Sequence, residues 1–114
     1  MHEFSVAGNL LELCLQNAEQ NQAKQITKVT VKIGRLSGIE PHYLNFAFDV
    51  IKEETIARNA ILQYFMQDLI IYCNECKKKA SLDEINFTCP ECKSNKVEVI
   101  DGDDLFLMDL ELEV

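Results

Sequence analysis

The chain has 114 residues, is 47% hydrophobic, carries a formal net charge of −8, and has no apolar run long enough to span a membrane. That length supports one modest core and a satellite, and the negative charge repels a phosphate backbone, so membrane-embedded and nucleic-acid-binding classes lose ground at once. The start is acidic and amphipathic where a signal peptide would be basic, so the expected compartment is the cytoplasm, in which thiols stay reduced.

The first three residues are Met1-His2-Glu3. A histidine in second place lets one short segment offer the terminal amine, the His2 imidazole and deprotonated backbone nitrogens of His2 and Glu3 to a single ion. That nitrogen set suits square-planar nickel or copper. Met1 is expected to be retained, because methionine aminopeptidase prefers a small second residue. The bland reading of the same residues is a solvated chain end. Next, Ala7, Leu10, Leu11, Cys14 and Ala18 recur at helical spacing and predict a helix with one buried face, on which Cys14 is a small core residue. The polar stretch from Asn17 to Gln25 ends it.

Val29, Val31 and Ile33 alternate with Lys28, Thr30 and Lys32, the period of a half-exposed strand. Gly34 to Gly38 is a turn. Pro41 fits the first turn of a second helix, whose apolar face is Leu44, Ala47, Phe48 and Ile51. His42 reads as a surface residue and Glu40 as a solvated acid. A second strand is expected from Ile61 to Tyr72, running straight into the cysteines.

Those cysteines form two matched pairs, Cys73-x2-Cys76 and Cys89-x2-Cys92, with a twelve-residue loop between them. Each short spacer presents two sulfurs from a tight turn, and the loop brings the second pair round to close a tetrahedron with Zn–S bonds of about 2.3 Å. Two disulfides and a rubredoxin-like iron are the competing readings. A closed thiolate shell leaves no position for water or substrate, so Zn(II) here is expected to be structural. Lys77, Lys78, Lys79, Lys93 and Lys96 offset the thiolate charge and solvate a small lobe. After Asp101-Gly102-Asp103, a last strand is expected to bury Phe106, Met108, Leu110, Leu112 and Val114, with Leu107, Asp109, Glu111 and Glu113 on its other face.

The expected fold class is therefore α+β: a two-layer, three-stranded sheet with two helices on one face and charged side chains on the other. A small zinc-binding lobe is inserted between the second and third strands. In residues, 1–72 with 101–114 form the α+β domain and 73–100 the zinc lobe.

Met1-His2-Glu3 ahead of an amphipathic helix, Gly34-Arg35-Leu36-Ser37-Gly38 before Pro41, Phe46-Ala47-Phe48, and the two Cys-x2-Cys pairs together resemble the HypA family in order and spacing, over the whole chain. The resemblance implies a nickel metallochaperone for maturation of NiFe hydrogenase and, in some bacteria, of urease. It implies Ni(II) held by Met1, His2 and Glu3, Zn(II) held by Cys73, Cys76, Cys89 and Cys92, and, as partners, a HypB-type GTPase, the hydrogenase large-subunit precursor and urease maturation proteins. Some family members carry histidines close to the zinc cysteines, and this chain has none there. Two other classes fit less well. A nucleic-acid-binding zinc ribbon wants a basic face and stacking aromatics, and this lobe offers chiefly Phe87. An enzyme wants a nucleophile constellation, a phosphate-cradling loop or an open metal position, and none of these patterns is present.

Overall fold

Strand β1, Gln25–Gly34, is the centre of the first of two sheets in the computed structural model, which describes residues 2–114. Its one face is apolar throughout: Ile26, Val29, Val31 and Ile33 are all fully buried. Helix α1, Glu3–Gln20, and helix α2, Pro41–Ile51, cover that face. The buried side of α1 is Ala7, Leu10, Leu11, Cys14 and Ala18, as its periodicity predicts, and α2 contributes Leu44, Ala47 and Phe48. Burying a side chain of the size of Phe48, Leu44 or Ile33 stabilises the fold by about 1.5–3 kcal/mol each.

The ends of the helices follow from local chemistry. Gln22 adopts a left-handed conformation with φ 56°, and the Ala23 N–H donates to the Ala18 carbonyl at 2.9 Å, a stop of the Schellman kind. At the other helix, Glu40 is the N-cap: its carboxylate accepts the His42 N–H at 3.0 Å, and Pro41 occupies the first helical position. Lys52 ends α2. Its ammonium is buried yet satisfied, donating to the Ala60 carbonyl at 2.7 Å and pairing with Asp49 at 2.8 Å.

Strand β2, Ile61–Gln67, lies parallel to β1, and the final strand β6, Leu105–Glu113, lies antiparallel to it on the other side. Between them the chain makes a second antiparallel sheet from β3, Leu69–Cys73, β4, Lys79–Leu82, and β5, Val97–Asp101, with β3 in the middle. The inserted lobe thus has a sheet of its own. No helix of the described residues is long and apolar enough to cross a membrane.

Two sequence expectations are corrected. The single strand from Ile61 to Tyr72 is two strands in different sheets, broken at Asp68. Its neighbour β1 ends at Gly34, opposite Gln67, so beyond that point the chain has no partner in the first sheet and pairs elsewhere. The last strand does not keep one alternation. Thr30 pairs with Asp109 and Val31 with Leu107, which leaves Met108 as an extra residue, a β-bulge. The bulge reverses the phase: Leu105, Leu107, Leu110 and Leu112 pack on the core, while Phe106 and Met108 face out. The outer sheet face is correspondingly mixed, with Ile61, Phe65 and Phe106 beside Lys28 and Lys32, and the Lys32 ammonium lies 5.0 Å from the Phe106 ring centroid.

Both passages between the sheets cross at one point. A side chain on Gly34 would collide with the backbone of Gly102, and one on Gly102 would lie 2.6 Å from the Asp68 carbonyl oxygen and 2.8 Å from the Leu69 Cα. The Gly34 N–H donates to the Asp104 carbonyl at 2.8 Å and the Leu36 N–H to the Gly102 carbonyl at 2.7 Å. Two ion pairs clamp the crossing, Lys32 with Asp101 at 2.8 Å and Arg35 with Asp68. The Lys32 ammonium holds the Asp101 carboxyl below its ordinary range, so this pair supports the fold above the usual carboxylate pKa and weakens as pH falls through the lowered one.

Gly102 has φ 93° as well as no room for a Cβ. Gly102→Ala is therefore expected to cost about 2–4 kcal/mol, combining left-handed strain with a backbone clash. A denaturant titration within 0.5 kcal/mol of the native chain would refute the close crossing.

Candidate metal centres

The four cysteines of the paired motif sit on two knuckles with the same hydrogen-bond pattern. In the first, the Cys73 N–H donates to the Lys78 carbonyl at 2.9 Å and the Lys77 N–H to the Cys73 carbonyl at 2.8 Å. In the second, the Cys89 N–H donates to the Ser94 carbonyl at 2.8 Å and the Lys93 N–H to the Cys89 carbonyl at 2.9 Å. The residue after each second cysteine, Lys77 or Lys93, is left-handed, with φ 59° and 64°. Strand β3 delivers Cys73, and the Asn74 N–H bonds to the Lys96 carbonyl at 2.9 Å, tying one knuckle to the return strand behind the other.

These turns bring the sulfurs together across the pairs. Cys73 Sγ is 3.5 Å from Cys92 Sγ and Cys76 Sγ is 3.7 Å from Cys89 Sγ, and all four lie within 4.8 Å of one another. A tetrahedron with Zn–S of about 2.3 Å needs S···S of about 3.8 Å, whereas a disulfide needs about 2.05 Å. The cluster fits a Zn(II) tetrathiolate and all five cysteines are free thiols. Backbone N–H groups of Cys92 and Glu91 aim at the Cys89 sulfur and pull its pKa down to about 7, so one ligand reaches the thiolate near neutrality; burial pushes Cys76 up to about 12. Lys78 pairs with Glu91 at 3.3 Å and Lys96 with Glu75 at 3.1 Å, each linking one knuckle to the other. Both are exposed and each contributes at most about 1 kcal/mol. The metal, not these pairs, holds the lobe.

Cys14 is fully buried in the first core, and burial raises its pKa to about 11, as a core thiol requires.

The second candidate centre is the start of α1. Met1 lies outside the described residues. His2 is the N-cap of α1, with extended backbone at φ −89° and ψ 98°, and its imidazole has no hydrogen-bond partner among the described residues. Glu3 is the first helical residue. Its carboxylate accepts the Glu40 N–H at 3.1 Å, and that bond is the main reason its pKa is lowered. Glu40 in turn caps α2 through His42. The two acids thus tie the start of α1 to the start of α2. Only the four cysteines bring three or more donor atoms within 4.8 Å of one another among the described residues.

Beside that tie lies a groove of about 670 Å³ lined by His2, Glu3, Phe4, His42, Tyr43 and Phe46. Phe4 and Phe46 meet edge to face at 6.3 Å, and with Tyr43 they form an exposed apolar wall beside the histidines. His42 is exposed near the start of α2, as its sequence position predicts; that it shares a groove with His2 depends on how the two helix starts pack and is not legible in the sequence.

A family model for HypA, described as hydrogenase/urease nickel incorporation, metallochaperone, matches residues 1–112. The chain is similar to a hydrogenase maturation factor HypA of Aquifex aeolicus, 47% identical over 114 residues and covering 100% of this chain and 99% of that one. It is similar to one from Campylobacter jejuni, 42% identical over 111 residues, with 96% and 97% covered. Its fold matches the solution structure of the Ni metallochaperone HypA from Helicobacter pylori with a TM-score of 0.78 at 30% identity, covering 99% of this chain and 98% of that one.

The left-handed lysines give a test of the knuckle geometry. Lys93→Val is expected to cost about 1–2 kcal/mol, because a β-branched side chain resists positive φ, while Lys93→Gly keeps the turn. Zinc release to a chromophoric chelator reads the difference: faster for the valine variant and no faster for glycine than for the native chain. Equal rates for all three would show that the turn does not limit zinc retention.

Proposed function

This chain belongs to the HypA family, a nickel metallochaperone of hydrogenase maturation with a thiolate zinc site, and we propose that it carries Ni(II) on Met1, His2 and Glu3. The donors are the Met1 amine, the His2 imidazole and the backbone nitrogens of His2 and Glu3. The observation that carries this reading is His2, exposed, extended and without a side-chain partner among the described residues, at the mouth of an open groove. The Glu3 carboxylate is engaged with Glu40, so it positions the segment and the backbone nitrogens do the binding.

A carrier must bind firmly and still release. Imidazoles and amines accept protons near neutrality, so protons compete with nickel at such donors, while a closed thiolate cage keeps its zinc. On this reading the nickel-binding unit is 1–72 with 101–114 and the zinc lobe 73–100, although the lobe's own sheet already begins at Leu69 in β3 and ends at Asp101 in β5. The protein transfers an ion and turns over no substrate. Its partners on this reading are a HypB-type GTPase, the hydrogenase large-subunit precursor and, for urease, the urease maturation proteins, all in the cytoplasm. The exposed rings of Phe4, Tyr43 and Phe46 beside the donors give such a partner an apolar surface to hold while it takes the metal.

His2→Ala is expected to abolish stoichiometric nickel binding and to leave zinc content and circular dichroism unchanged. Metal analysis after dialysis decides it, and nickel retained at native stoichiometry would remove His2 from the site.

Adding one Gly before Met1 is expected to weaken nickel binding although no side chain is lost. The Met1 amine becomes an amide, and the new amine stands one residue farther from the imidazole. Calorimetric titration and nickel-dependent hydrogenase activation in cells are the measurements. An extended chain with native affinity, native spectrum and full maturation activity would show that the Met1 amine is not a ligand.

A further inference from the structure

The chain has only two histidines, separated by 40 positions in sequence, and both line the same groove. We infer that His42 supplies a second imidazole to the nickel carried by the N-terminal residues, closing on it from the first turn of α2. This rests on the N-terminal site proposed above and adds to it a ligand from a different element.

Three observations place His42 for that role. The first is the tie between the walls: the Glu40 N–H bonds to the Glu3 carboxylate at 3.1 Å, and Phe4 packs edge to face on Phe46, so the His2 segment and the start of α2 are held side by side. His42 lies two residues beyond Glu40. The second is that its backbone is already satisfied, because its N–H bonds to the Glu40 carboxylate at 3.0 Å, while its imidazole has no hydrogen-bond partner among the described residues. An exposed imidazole with nothing to break can turn at the cost of a rotamer alone, on the order of 1 kcal/mol. The third is the wall of Phe4, Tyr43 and Phe46, which lines the same groove beside both histidines and leaves no competing charged group on that side.

The chemistry is complementary. A terminal amine, backbone nitrogens and one imidazole would give nickel(II) at most four nitrogens, and a five- or six-coordinate ion has room for more. A neutral imidazole from His42 would fill one such position with its nitrogen lone pair, and no bond elsewhere breaks. No three donor side chains converge at this groove among the described residues, so the site as proposed is completed on the ion. His42 is then the one ligand a partner seated on Tyr43 and Phe46 can withdraw without disturbing the chelate, which gives release a first step.

The test uses the untagged, zinc-loaded full chain with Ni(II) as the probe, in native, His42→Ala and His2→Ala forms. X-ray absorption at the nickel edge counts imidazoles, and competition with a chromophoric chelator measures affinity. The expected result is two imidazoles in the native chain and one in His42→Ala, with affinity lower by about tenfold and with zinc content and circular dichroism unchanged. One imidazole in the native chain, together with native affinity in His42→Ala, overturns the role of His42. If His2→Ala has by then lost nickel, the N-terminal site survives that result; if His2→Ala keeps native nickel affinity, both readings fall.

Discussion

Strand β1 is hydrogen-bonded along both edges and fully buried on one face, and the first sheet and both helices are placed by reference to it. β2 and β6 take its edges, and α1 and α2 compete for the same apolar strip of Ile26, Val29, Val31 and Ile33. Two helices covering one strand must lie against each other, and small residues at Ala7, Cys14, Ala18 and Ala47 let them approach. That packing is what brings the starts of both helices, and with them His2 and His42, to one groove. At its other end β1 stops at a glycine because the return chain crosses there, and the crossing is where the zinc lobe is attached.

The thiolate site and the proposed nickel site would solve opposite problems with donor chemistry alone. Soft thiolates on four rigid turn positions enclose Zn(II), and in so small a lobe the binding free energy is largely folding free energy. Nitrogen donors at a helix start enclose nothing. The Glu3 and Glu40 carboxylates are both committed to backbone N–H groups, so the N-terminal segment is oriented without hard oxygen ligands that would favour magnesium or calcium. The zinc cage offers no nitrogen donor, and the N-terminal segment offers no thiolate.

Much of this was legible in the residues. The buried face of α1 was readable position by position because a straight helix keeps its period, and the tetrathiolate was readable because its geometry is local to two short turns. The failures share one cause. A break at Asp68 and a bulge at Met108 depend on where a neighbouring strand ends or slips, and strand period carries no record of a partner's length. The lobe's own strands β4 and β5 are four and five residues long, too short to show a period. His42 was legible as an exposed residue near the start of α2, and only the pairing of two helix starts says what it is exposed to.

Affinity by itself does not select nickel. Copper(II) outbinds nickel(II) at a given nitrogen set, so a chelate of in-plane nitrogens alone would load copper wherever copper is available. On the proposed reading, selection therefore cannot come from the chelating segment alone. What the fold adds beside that segment is the exposed apolar wall of Phe4, Tyr43 and Phe46, a surface on which a partner could dock next to the start of α1, so delivery by partner contact, and not affinity, would decide which ion reaches a client.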